Sequence, residues 1–136
     1  MIIPATIPHL KAVFVAVGVL FIGWIALEGD VGREILLAAI IWTAGLAYLV
    51  TRHFGGRRLS MGRWLLLMTA AGLAAGAGVA LLTLFLMALK TGLHAHGPEY
   101  TAGEIAWVWG QLPLWAAAGG LIGLGVGALA AAARRN

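Results

Sequence analysis

A chain of 136 residues that is 62% apolar and only 10% charged is long enough for one domain but lacks the polar surface of a soluble one, in which about a quarter of residues are charged. It contains no cysteine, which excludes disulfides and thiolate metal centres. Its formal net charge of +4 comes from basic residues at the borders of apolar stretches, so lipid headgroups, and not nucleic acid, are the expected counterpart.

Segments 12–27, 35–51, 64–89 and 105–133 hold no Asp, Glu, Lys or Arg. A helix needs about 20 apolar residues to cross the hydrocarbon core of a bilayer. Ala, Leu and Gly dominate these stretches, without the two-residue alternation that a membrane barrel requires. The expected fold is therefore all-α: an integral membrane four-helix bundle forming a single domain, with spans at about 10–27, 35–51, 64–89 and 113–133. Trp24-Ile25-Ala26-Leu27 offers no small-residue cleavage site, so the first segment reads as a retained helix and not a signal peptide.

In chain order, the N-terminal stretch carries Lys11, the first connection Glu28, Asp30, Arg33 and Glu34, and the second Arg52, His53, Arg57, Arg58 and Arg63. The third connection carries Lys90, Glu99 and Glu104, and the C-terminus ends in Arg134 and Arg135 before Asn136. Basic residues gather in the second connection and at both ends, which the positive-inside rule assigns to the cytoplasm. An even number of spans agrees with that assignment, and a bacterial plasma membrane is the expected location. Attraction to anionic lipid, about 1 kcal/mol per basic residue, accounts for the Arg-rich second connection.

Gly97-Pro98 should end any helix in the third connection. Thr101 followed by Glu104 fits a capping box, in which each side chain satisfies a free backbone N–H of the other. A short interfacial helix is expected over about 102–111, with Trp107 and Trp109 at headgroup depth. Pro113 would then open the last span, where its missing N–H costs nothing. The alternative is one long helix kinked at Pro113, which leaves the carbonyl of Trp109 without its partner.

Gly119, Gly123 and Gly127 recur at helical spacing in the fourth segment, as do Gly72 and Gly76, followed by Ala80, in the third. Small residues on one face let helix backbones approach closely, and packing drives association in lipid. The faces suit contact between the third and fourth helices or between subunits. The charge-free segments contain no acid, which argues against a proton relay or an ion-coupled exporter.

The third connection is the richest in chemistry. His94, His96 and Glu99 form a candidate metal set of imidazole and carboxylate ligands, with interfacial contacts as the plainer reading; no cofactor is otherwise expected. Lys90 either extends to the outer headgroups or pairs with Glu104 or Glu99. With Tyr100, Glu104, Trp107 and Trp109 these residues make the candidate partner-contact surface. No nucleophile with a paired base and no phosphate loop is visible. The function expected is that of a non-catalytic accessory or interaction subunit, with other membrane subunits or further copies of itself as partners. A small oligomeric channel, holin-like pore or transporter is the second reading, and a membrane enzyme using the His94–Glu99 loop the third.

Overall fold

A computed structural model describes residues 1–94 and 97–133. Among these residues the chain is helical: α1 (Leu10–Ile25), α2 (Val31–Phe54), α3 (Met61–Leu93) and α4 (Ala102–Ala132). An isolated antiparallel bridge joins Ile2 to Arg58. Three helices, α2, α3 and α4, are long and apolar enough to cross a membrane, whereas α1 is a shorter apolar helix. Its 16 residues rise about 24 Å, short of a hydrocarbon core of about 30 Å.

Two of the helices, α2 and α4, begin where a polar side chain holds a free N–H group of the first turn. α2 starts earlier than its charge-free stretch, because Asp30 caps it by accepting from the Arg33 N–H at 2.9 Å. Arg33 and Glu34, expected in a connection, are therefore first-turn residues of α2. The capping box at α4 is present: the Thr101 hydroxyl accepts from the Glu104 N–H at 3.2 Å, and Glu104 Oε2 accepts from the Thr101 N–H at 2.7 Å.

The short interfacial helix over 102–111 is not separate. α4 runs unbroken from Ala102 to Ala132 with Pro113 inside it, so the long-helix alternative is the one observed. Proline removes one rung of the hydrogen-bond ladder, at the carbonyl of Trp109, but its fixed φ is helical. Packing on both sides bridges the missing rung. Val108 is buried with Met87 and Tyr100 before the proline, and the backbones of α3 and α4 meet after it.

That meeting is the most extensive helix contact in the chain. A Cβ on Gly72 would overlap the carbonyl of Gly119, one on Gly76 the carbonyl of Trp115, and one on Gly123 the carbonyl of Met68. Only hydrogen fits at these positions. Gly127, further along the same face, lies against the Met68 and Leu65 side chains, and its carbonyl accepts from the Trp64 indole at 2.9 Å. Helix α2 packs on the other side of α3, where the Trp42 ring crosses Gly78 and donates to the Ala74 carbonyl at 2.8 Å. α1 lies mainly against α2, and its Trp24 enters a core with Leu37, Ala38 and Leu86.

The connection between α2 and α3 is fastened to the start of the chain. Leu59 N–H donates to the Met1 carbonyl at 2.8 Å, and Gly56 N–H donates to the Ile3 carbonyl at 2.9 Å. At the other end, the connection between α1 and α2 meets the one between α3 and α4.

Candidate functional site

Because α2 and α3 are antiparallel neighbours, the first turn of α2 lies level with the last turn of α3. This places Glu34 opposite Lys90, with Lys90 Nζ 3.6 Å from Glu34 Oε1 and the two side chains 0% and 1% exposed. Both belong to buried stripes. On α2, Glu34 continues the helical spacing of Leu37, Ala38 and Ile41; on α3, Lys90 continues that of Thr83, Leu86 and Met87. Lys90 therefore neither extends outward nor pairs with Glu99 or Glu104, as the sequence suggested. A lysine on the inner stripe cannot reach headgroups without crossing its own helix.

A buried ion pair is tolerable only when the remaining donors and lone pairs are satisfied, and here they are. Lys90 donates to the carbonyls of Trp24 and Glu28, each at 3.2 Å. The first of these belongs to the last turn of α1, where it also accepts from the Leu27 N–H at 3.1 Å and where the helix dipole favours a cation. The ammonium also lies 4.7 Å from the centre of the Trp24 ring, within range of a cation–π attraction. Glu34 accepts from the Trp24 indole through one carboxylate oxygen and from the Tyr100 hydroxyl through the other. One network thus joins α1, α2, α3 and the segment that precedes α4.

A second contact reinforces it. Glu99, with its side chain 5% exposed, accepts from the Gly29 N–H at 2.5 Å and faces His94 Nδ1. A Cβ on residue 29 would stand 2.7 Å from Glu99 Oε2 and 3.1 Å from the Tyr100 ring, so the close approach of the two connections depends on glycine. Tyr100 is held un-ionised to a pH well above the ordinary tyrosine range. Burial contributes most, followed by its hydrogen bond to Glu34 and then by the negative charges of Glu34, Glu99 and Asp30.

The structure separates the sequence-derived candidates into two groups. Lys90, Glu99 and Tyr100 turn inward and are spent on contacts within the fold, with His94 against Glu99. Glu104, Trp107 and Trp109 face outward, the two indoles 51% and 61% exposed. Among the described residues no three His, Asp or Glu side chains converge on a point; His96 lies outside them. Sequence reasoning missed Glu34 and Trp24, which the helical spacing from Glu34 to Ile41 and the hairpin between them could have revealed.

The chemistry available is that of a closed lock. A tyrosine with its ionisation suppressed donates a hydrogen bond but does not serve as a base. The adjacent groove of 600 Å³ between the first turns of α2 and α4 is lined by Val31, Ile35, Thr101, Glu104 and Trp107 among others, and by none of Trp24, Glu34, Lys90 or Tyr100. No protein-family model, curated protein or solved structure matches the chain.

Proposed function

We propose that the chain is an integral membrane protein of four spans, the short α1 completing its crossing with the apolar residues Ala26 and Leu27 that follow it, with both ends in the cytoplasm of a bacterium, and that it acts as a non-catalytic accessory subunit beside other membrane proteins. The observation that carries this reading is the closure of the Trp24–Glu34–Lys90–Tyr100 network. Ionisable groups on apolar helices usually mark an ion path or a reaction centre; here each is consumed by its neighbours and fixes the bundle end. The small-residue faces support the same reading over an oligomeric pore, since Gly72, Gly76, Gly119 and Gly123 are spent on contact between α3 and α4 of one chain. Exposed Trp107 and Trp109 suit anchorage at headgroup level.

Native purification in mild detergent, followed by mass measurement of the intact assembly, tests the proposal. The expected result is a stoichiometric complex containing the 14.1 kDa chain and at least one membrane protein of different mass, which survives washing. Masses that are only integer multiples of the chain would overturn it in favour of a homo-oligomeric pore.

A further inference from the structure

At the end of the bundle away from the buried ion pair, the start of α1 and the last turns of α2 enclose an open groove of 580 Å³. Its rim carries His9, Lys11 and Arg52, and its wall carries the rings of Phe14 and Tyr48. The lining residues include no Asp or Glu. The two rings pack edge to face with centroids 6.1 Å apart. Arg52 is held over this wall: its guanidinium donates to the Tyr48 hydroxyl at 3.0 Å and lies 5.9 Å from that ring's centre. One guanidinium edge is thereby oriented while the rest of the fork stays exposed with the side chain. Ala5, Ile7 and Leu10 add aliphatic surface to the lining, and Phe14 is 42% exposed.

Cations above an aromatic and aliphatic wall, at the end of apolar helices, complement a phosphate joined to hydrocarbon. A free anion would be matched by the rim alone and would leave the wall unused. We propose that this groove binds one anionic phospholipid, with Lys11 and Arg52 on its phosphate and the first part of an acyl chain against Phe14 and Tyr48. The inference rests on the membrane reading given above. It differs from a general attraction of basic loops to anionic lipid, because it names a site that Arg57 and Arg58 do not line.

The test uses the full chain in nanodiscs of equal parts phosphatidylglycerol and phosphatidylcholine, with the lipids that stay bound counted by native mass spectrometry after release. One phosphatidylglycerol should be retained, with a preference over phosphatidylcholine on the order of tenfold, as two basic contacts can supply. Lys11→Gln with Arg52→Gln should abolish the preference. Lys11→Arg with Arg52→Lys should keep it, and so should Arg57→Gln with Arg58→Gln, which removes the same charge outside the groove. Equal retention of both lipids would overturn the proposal. So would equal losses in the two glutamine pairs, which mean diffuse attraction, or binding of inorganic phosphate by the detergent-solubilised chain without lipid selectivity. Failure of the chain to enter nanodiscs would overturn the membrane reading itself, whereas entry without selectivity would overturn the groove alone.

Discussion

Glu34 and Lys90 stand fourth from the start of α2 and fourth from the end of α3, and they meet across that antiparallel pair at 3.6 Å. The pairing is a register device. Sliding either helix by one turn would bury two unpaired charges, so the pair makes one alignment of α2 on α3 far more favourable than its neighbours. Trp24 and Tyr100 extend this alignment to α1 and to the approach to α4.

Breaking the pair should cost more than removing it. Glu34→Leu leaves Lys90 buried without its counter-charge, at a cost of about 3–5 kcal/mol. Lys90→Met strands Glu34, but Glu34→Leu also leaves the buried Trp24 and Tyr100 donors without their acceptor, so the lysine variant should lose less. The double variant should recover much of the deficit. Thermal unfolding in detergent measures all three. Strict additivity of the two single losses would show that the residues act independently.

Tyr100 carries a signature at alkaline pH. Its ionisation is shifted upward in the fold, so the neutral form is the one the fold favours. Its contribution to stability is complete below the unfolded tyrosine value of about 10 and declines as pH rises beyond it, because the unfolded chain ionises first. The chain has two tyrosines, so Tyr48→Phe leaves Tyr100 as the only phenol. Its phenolate absorbance should appear only together with loss of helical signal. Ionisation near pH 10 with the helices intact would contradict the buried contact to Glu34.

Much of this was legible from local patterns. Charge-free stretches marked the helices, Thr101 and Glu104 marked the start of α4, and glycine spacing marked the faces on which α3 and α4 meet. What stayed hidden depended on contacts distant in sequence. Charge alone put Arg33 and Glu34 in a connection, although Glu34 begins the stripe of Leu37, Ala38 and Ile41. Pro113 argued for a break because the compensating contacts of Val108 and of the α3 backbone lie a helix away. The pairing of Ile2 with Arg58 leaves no trace in local composition.

The contact between α3 and α4 can be tested against an internal control. Gly123 has the Met68 carbonyl where a Cβ would stand, whereas Gly125 has nothing within 4 Å. Gly123→Leu should destabilise by at least the roughly 1–3 kcal/mol of ordinary overpacking, since backbone must move. Gly125→Ala should be neutral or stabilising by up to about 1 kcal/mol through helix propensity. Equal melting temperatures for both variants would mean that the helices do not touch at Gly123.

The transmembrane arrangement yields the last prediction. If α3 crosses the bilayer, its 33 residues put the connections before and after it on opposite faces. The Arg-rich side should be cytoplasmic, and the start of the chain should share it, because Met1 and Ile3 pair with Leu59 and Gly56. The absence of native cysteine allows single reporters at three exposed positions: Thr6→Cys, Ser60→Cys and Ala102→Cys. Ala102 is chosen so that the Thr101 cap is untouched. An impermeant thiol reagent added to intact cells should label Ala102→Cys alone, and all three should react once the membrane is opened. Labelling of the first two without the third would invert the orientation. Labelling of both Ser60→Cys and Ala102→Cys in intact cells would mean that α3 does not cross the membrane, despite its length and composition.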